Sequence, residues 1–128
     1  MIVLDANVLI AFLDGDDAHH RSAIELMATA DRYRMHPLTV AEVLVKWVRE
    51  RRLAEVEQLL DELGVTTHQL IARESVRLAE LRASTGLKLP DCCPLLLAEV
   101  GGWPLATFDA RLATAARSRG VEIVEEGP

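Results

Sequence analysis

The most informative segment of the sequence lies near the start of the chain, Ile2-Val3-Leu4-Asp5-Ala6-Asn7. Three apolar residues in a row, with no polar residue between them, are typical of a strand buried on both faces of a parallel sheet. An acidic residue directly after such a strand is a poor choice for packing alone. The stretch therefore predicts a buried strand that brings the Asp5 carboxylate to the edge of a sheet.

Short apolar strands and amphipathic helices alternate along the rest of the chain. Apolar segments predict further strands at residues 33–36, 65–67, 104–108 and 121–124, and segments with helical spacing lie between them. This alternation is the pattern of a parallel sheet with helices on both faces. The sequence therefore predicts an α/β fold in a single domain that spans residues 1–128.

Capping residues set the expected helix starts. Thr39-Val40-Ala41-Glu42 matches a capping box, which predicts a helix that opens with Thr39. Asp91 is expected to cap a helix that starts at Cys92. Amphipathic spacing predicts a long helix over residues 68–84, with Leu70 in the core. These boundaries place acidic residues at or near two helix starts.

The charge balance argues against one class of protein. The chain has 128 residues, with 14 Lys plus Arg against 20 Asp plus Glu and a net charge of −6. A protein that coats nucleic-acid phosphates usually carries a basic excess. The balance leaves open an enzyme whose carboxylates collect divalent cations, which then meet the phosphate.

The expected location of the chain is the cytoplasm. Its apolar runs are too short to span a bilayer, and its first residues lack the basic segment of a signal peptide. A disulfide between the adjacent Cys92 and Cys93 would be strained, so both thiols are expected to be reduced. The four histidines show no ligand spacing, which favours surface or cap roles for them.

Carboxyl groups follow two of the predicted strands. Asp5 follows the first strand, and Asp109 follows the strand that ends near Phe108. All strands of a parallel sheet end at the same edge, so these two carboxylates can share an ion if their strands are neighbours. Further oxygen donors expected at this edge are Glu42, Asp91, Asn7 and Thr107.

Such a set of acids fits hard divalent cations. Mg²⁺ and Mn²⁺ prefer oxygen ligands, and two such ions can activate a water and stabilise the leaving oxygen of a phosphodiester. Each acid also has an ordinary structural interpretation. Asp5, Asp91 and Asp109 can be helix N-caps, and Glu42 can complete the capping box of Thr39. Spacing alone leaves both interpretations open.

Four short segments occur in a characteristic order and spacing: IVLDANVLI at residues 2–10, TVAE at 39–42, GLKLPD at 86–91 and LATFDARL at 105–112. Together they resemble the successive motifs of PIN-domain ribonucleases, and more narrowly those of the VapC-type toxins of toxin–antitoxin pairs. Each segment alone is weak, but four in order within one short chain are specific. The sequence departs from the usual family pattern after Asp91 and at Phe108, without the loss of a carboxylate.

The resemblance implies a three-layer α/β/α sandwich around a mostly parallel sheet. It implies an endoribonuclease that hydrolyses RNA phosphodiester bonds with Mg²⁺ or Mn²⁺. The acids implied to be catalytic and to bind the metal are Asp5, Glu42, Asp91 and Asp109, with Asn7 and Thr107 as supporting residues. The resemblance further implies a homodimer, with no membrane partner, that acts as the toxin of a type II pair and is held inactive by a cognate antitoxin.

Basic residues near these segments are candidates for contact with the RNA backbone: Lys46, Arg49, Arg51, Arg52, Lys88 and Arg111. The first four lie toward the end of the helix that opens with Thr39. For these four, favourable helix electrostatics in solvent is the slightly preferred explanation.

Other functions remain open from the sequence. A stand-alone RNA-processing nuclease would keep the same acids without an antitoxin. A receiver-like signalling domain would need an acidic pair after the first strand and a lysine after the last, which the sequence lacks. A phosphatase of the haloacid-dehalogenase type would need a second aspartate in its first motif. A domain that only binds a partner would not need to retain all four acids.

Overall fold

The structure, a computed structural model, describes residues 1–68 and 70–125 of the chain. Short strands alternate with helices, as the sequence predicts. In chain order the elements are β1 (Ile2–Leu4), α1 (Ala6–Leu13), α2 (His20–Met27), β2 (Tyr33–Met35), α3 (Pro37–Arg49), α4 (Leu53–Glu62), β3 (Val65–Thr67), α5 (Glu74–Thr85), α6 (Leu89–Gly101), β4 (Leu105–Ala106) and α7 (Ala110–Ser118).

A four-stranded sheet with the order β3-β2-β1-β4 forms the centre, and every pairing in it is parallel. β1 pairs with β4 in the register Val3–Leu105 and Leu4–Ala106. The backbone N–H of Asp5 extends this ladder by donating to the Ala106 carbonyl at 3.0 Å. The carboxyl ends of β1 and β4 therefore lie side by side.

Apolar layers cover both faces of the sheet. Because successive side chains of a strand point to opposite faces, Ile2 and Leu4 pack into one layer and Val3 into the other. The first layer draws its buried residues from α1 to α4, and the second from α5 to α7. This arrangement confirms the predicted three-layer α/β/α sandwich. No helix in the two described ranges is long and apolar enough to cross a membrane.

Helix α3 begins two residues before its predicted start. Pro37 occupies its first turn, where the fixed φ of proline suits a helix, and His36 is its N-cap. The Nδ1 atom of His36 accepts the Leu38 N–H at 3.1 Å. The predicted capping box at Thr39 is therefore wrong, and Thr39 is a buried residue inside the first turn.

Helix α6 also begins earlier than predicted. Its N-cap is Lys88, whose backbone is extended, and the helix starts at Leu89. The prediction that Asp91 caps this helix is therefore wrong. Asp91 lies within the first turn, where a carboxylate still interacts favourably with the helix dipole.

Two further segments are less regular than predicted. Arg73 has a left-handed backbone with φ of 55°, so α5 begins only at Glu74 and the predicted helix over residues 68–84 starts too early. Leu70, predicted in the core, is 98% exposed as a result. The predicted strand at residues 121–124 is reduced to an isolated parallel bridge between Leu105 and Ile123.

Candidate active site

Asp5 lies at the carboxyl end of the central strand β1, where it is buried. Both oxygens of its carboxylate are fixed. Oδ1 accepts the Ala6 N–H at 2.8 Å, and Oδ2 accepts the Thr107 hydroxyl at 2.7 Å. Asp5 is also the N-cap of α1. The strand, the cap and the threonine together hold its charge in one place.

The Thr107 hydroxyl links the ends of β1 and β4. Besides donating to Asp5, it accepts the Asp109 N–H at 3.0 Å and the Asn7 Nδ2–H at 3.4 Å. Asn7 makes a second connection, because its Oδ1 accepts the Phe108 N–H at 3.2 Å. The one donor and both acceptor positions of the hydroxyl are therefore in use. The structure thus places Asn7 and Thr107 in direct contact with the loops that carry the acids.

Asp109 follows β4 and caps α7. Its Oδ1 accepts the N–H groups of Arg111 and Leu112 at 2.9 and 3.2 Å. Its Oδ2 accepts no hydrogen bond from any residue in the described ranges. Helix capping therefore occupies one oxygen of Asp109 and leaves the other available, so capping and metal binding are compatible at this residue.

Glu42 and Asp91 approach the same edge from two helices. Glu42 is exposed in the second turn of α3, and Asp91 is half-buried in the first turn of α6. The charge of Glu42 interacts with those of Asp5 and Asp91, and the charge of Asp91 interacts with that of Asp109. The structure therefore brings Asp5, Glu42, Asp91 and Asp109 together, and we call these four residues the acid cluster.

Burial and mutual repulsion shift the protonation of the acid cluster. Burial raises the pKa of Asp5, and the charges of Asp91 and Asp109 raise it further, against the hydrogen bonds from Thr107 and Ala6 that lower it. For Glu42, the pKa is raised first by loss of solvent and then by the charges of Asp5 and Asp91. Ionising the whole cluster is therefore unfavourable without a compensating positive charge.

Two basic side chains lie close enough to oppose this effect at Asp91. Loss of solvent and the charge of Asp109 raise the pKa of Asp91, while the charges of Lys88 and Arg111 lower it. Both cations are exposed at the rim of the acid cluster. They are the two predicted RNA-contact residues that the structure places beside Asp91.

The other predicted RNA-contact residues lie along or just after α3. Lys46 lies one turn after Glu42, and both residues line a cavity of about 100 Å³. Arg49 borders an apolar groove on the same helix. Arg52 donates to Glu55 at 2.7 Å and to Glu50 at 3.4 Å, so its charge is already paired. Arg51 is exposed, with a left-handed backbone.

The donor set of the acid cluster fits a hard divalent cation. All four side chains are carboxylates, the ligands that Mg²⁺ and Mn²⁺ prefer. Burial raises the pKa values of Asp5, Glu42 and Asp91, the negative charges of neighbouring acids raise them further, and a bound cation would offset both effects. The side-chain carboxylates of Glu42 and Asp91 accept no hydrogen bond from the part of the chain that the structure describes. These oxygens are available to a cation.

A second cluster of polar side chains was not predicted from the sequence. His36 and His68 follow the neighbouring strands β2 and β3, and both contact Glu74 at the start of α5. Their separation in sequence matches no familiar ligand spacing. The available signal was their position, because His36 is the last residue of the predicted strand at 33–36 and His68 directly follows the predicted strand at 65–67.

Comparisons with known proteins agree with this architecture. The model of the PIN domain family matches residues 2–118 of the chain. No curated protein matches the sequence significantly.

Several solved structures share the fold. VapC20 of Mycobacterium tuberculosis, described as a sarcin-ricin loop cleaving toxin, aligns over 100% of both chains with 17% identity and a TM-score of 0.78. A toxin–antitoxin complex from Klebsiella pneumoniae contains a chain with 24% identity and a TM-score of 0.73, over 85% of this chain and 87% of that one. VapBC2 from Rickettsia felis, bound to a promoter DNA fragment, aligns over 99% of this chain and 100% of its own, with 14% identity and a TM-score of 0.70. At these identities the similarity shows a common fold.

Proposed function

The chain belongs to the PIN domain family, and we propose that it is a Mg²⁺- or Mn²⁺-dependent endoribonuclease that acts as the toxin of a type II toxin–antitoxin pair. The observation that carries the proposal is the convergence of Asp5, Glu42, Asp91 and Asp109 at one edge of the sheet. The four acids are distant in sequence and repel one another at this edge. A bound divalent cation would offset this unfavourable repulsion.

In this proposal the acid cluster holds one or two divalent ions. When bound, such ions activate a water and stabilise the leaving oxygen of a phosphodiester. Residues of the chain fix the positions of the carboxylates that would hold these ions. Thr107 holds the Asp5 carboxylate and the Asp109 backbone together, so two metal ligands keep a fixed separation.

The two basic residues at the rim of the acid cluster have a different role in this proposal. Lys88 and Arg111 lie beside Asp91, on a chain with a net charge of −6. An RNA phosphate is repelled by the overall charge and attracted locally by these two side chains. They would therefore orient the backbone of the substrate against the acid cluster.

The toxin assignment is supported by the solved structures. VapC20 is described as a sarcin-ricin loop cleaving toxin, and the Klebsiella pneumoniae chain comes from a toxin–antitoxin complex. By this analogy a cognate antitoxin is a partner of the chain. From the resemblance of its motifs we further propose RNA as the substrate, a second copy of the chain as a partner and the cytoplasm as the location. An exposed apolar groove on α3, lined by Ala41, Leu44, Val45, Val48 and Arg49, supports a protein partner.

The test of the nuclease activity is cleavage of RNA by the purified chain. We expect cleavage in Mg²⁺ or Mn²⁺, none in excess EDTA, and recovery when metal is restored. Asp5→Asn and Asp109→Asn should each reduce the rate by more than the roughly 10–100-fold that is typical of losing an outer-shell partner. Asp61→Asn, on an exposed residue of α4, is the matched control. Cleavage in excess chelator would overturn the metal dependence.

A second experiment separates the toxin from a stand-alone processing nuclease. Expression of the wild-type chain should arrest growth, and expression of Asp5→Asn should not. Co-expression of the product of the gene adjacent to this one should restore growth, because an antitoxin blocks the nuclease. Active nuclease without growth arrest would favour the processing enzyme.

A further inference from the structure

Two histidines occupy equivalent positions on neighbouring strands. β2 and β3 run parallel in the register Met35–Thr67, and His36 and His68 are the next residues of each strand. Their rings lie 4.7 Å apart between centroids, with an interplanar angle of 37°. The topology that brings Asp5 and Asp109 together at β1 and β4 therefore also pairs two imidazoles at β2 and β3.

Glu74 completes a compact group with these rings. Its Oε1 lies 2.5 Å from the Nε2 of His36 and 3.4 Å from the Nε2 of His68. Possible ligand atoms of the three side chains all lie within 4.8 Å of one another. The side chains are only 11%, 8% and 22% exposed for His36, His68 and Glu74 respectively. They form a small, largely buried and convergent set of two nitrogens and one oxygen.

His68 has unused binding capacity. Its Nδ1 is buried without a hydrogen-bond partner among the described residues, and its Nε2 has only the long contact to Glu74. A buried polar atom without a partner is rare and usually has a functional or solvent explanation.

We propose that His36, His68 and Glu74 form a second metal site, separate from the acid cluster, that binds Zn²⁺ or a similar imidazole-preferring ion. Two imidazoles and one carboxylate are a ligand set that suits Zn²⁺ and leaves one position open. Mg²⁺ prefers sites made only of oxygen ligands. The two clusters at this edge therefore select different ions by the chemistry of their donors.

Binding at this site changes the start of α3. The Leu38 N–H donates to the Nδ1 of His36, so the proton of the neutral ring is on Nε2 and points to Glu74. A metal at Nε2 moves this proton to Nδ1 and breaks the cap. Helix α3 carries Glu42 of the acid cluster in its second turn, so zinc binding acts on a helix of the active site.

The test is Zn²⁺ binding to the metal-free chain, measured by isothermal titration calorimetry without RNA. We expect one Zn²⁺ per chain at this site, and binding at least about tenfold weaker in His68→Gln and Glu74→Gln. His19→Gln, which changes an exposed histidine outside the cluster, should bind as the wild type does. Asp109→Asn, which changes the acid cluster, should also keep this Zn²⁺.

Two results would overturn the proposal. One is Zn²⁺ affinity that is unchanged in His68→Gln and Glu74→Gln variants shown by circular dichroism to be folded. The other is Zn²⁺ binding that is lost in Asp109→Asn, which would assign the ion to the acid cluster. Proton–nitrogen correlation spectra add an independent readout, because the His36 ring proton should move from Nε2 to Nδ1 on binding. None of these measurements depends on whether the chain cleaves RNA.

Discussion

Replacing Thr107 by valine removes one hydroxyl from the centre of the site and keeps the branched shape of the side chain. The hydroxyl donates to the Asp5 carboxylate and accepts hydrogen bonds from Asp109 and Asn7. Valine can make none of these three hydrogen bonds. The substitution therefore isolates the contribution of the link between β1 and β4.

The expected loss of stability follows from these contacts. A hydrogen bond to a charged group contributes about 1.5–3 kcal/mol, and a buried donor left without a partner costs about 1–3 kcal/mol. Thr107 is half-buried, so water replaces part of what is lost. We expect Thr107→Val to lower the free energy of unfolding by about 2–4 kcal/mol.

The assay is urea unfolding of the metal-free protein followed by circular dichroism. Thr107→Ser retains the hydroxyl and should unfold close to the wild type. Thr114→Val, on an exposed residue of α7, controls for the same change away from the site. If the stability of Thr107→Val is within about 0.5 kcal/mol of the wild type, the range of ordinary surface substitutions, the Thr107 hydroxyl does not stabilise the link between β1 and β4.

Three further predictions concern the charges of the site. Asp5 and Asp91 bind protons more tightly in the folded chain because their pKa values are raised. Their contribution to the stability of the metal-free protein is therefore present in full below the unfolded Asp value of 3.8 and is lost as pH rises through the raised pKa values. Thermal unfolding of the wild type and of Asp5→Asn against pH measures this contribution as the difference between the two profiles, and saturating Mg²⁺ should reduce it. Asp109→Ala removes the cap of α7 and should lower the free energy of unfolding in urea by about 1 kcal/mol. Asp109→Asn keeps the cap and should be as stable as the wild type but inactive. Equal stability of the two variants would contradict the capping role. Lys88→Ala and Arg111→Ala should raise the KM for RNA and weaken its dependence on salt, with little change in kcat; an unchanged KM in both would remove these residues from substrate binding.

Much of the fold follows from local sequence. Ile2-Val3-Leu4 is apolar on both faces, so it had to be an inner strand of a parallel sheet, and it is the strand between β2 and β4. The meeting of Asp5 with Asp109 then required that β1 and β4 be neighbours. No local pattern specifies that neighbour relation, which depends on how the helices pack across both faces.

The helix starts were harder to predict, for identifiable reasons. At α3 the cap is an imidazole, which standard capping patterns do not include, and Pro37 moves the start ahead of Thr39. At α5 the left-handed Arg73 delays the start, although glycine or asparagine is the usual residue for such a backbone. Hydrophobic spacing alone could not detect either feature.

The candidate site was only partly accessible from sequence. The four acids could be named from their motifs, but the hydrogen bonds of Thr107 depend on the register between β1 and β4. The ion pair of Arg52 with Glu55 could not be predicted, because the sequence does not show which charged side chains contact each other. The contact of His36 with His68 depends on the adjacency of β2 and β3, which no spacing rule contains.

If four carboxylates from separate parts of the chain form one centre that binds divalent cations, the loss of any one of them must weaken cation binding. Electron paramagnetic resonance of Mn²⁺ measures free and bound ion directly, without RNA. We expect Asp5→Asn, Glu42→Gln, Asp91→Asn and Asp109→Asn each to weaken Mn²⁺ binding, and Asp61→Asn to bind Mn²⁺ like the wild type. Undiminished Mn²⁺ binding in both Asp5→Asn and Asp109→Asn would show that the acid cluster is not the cation site.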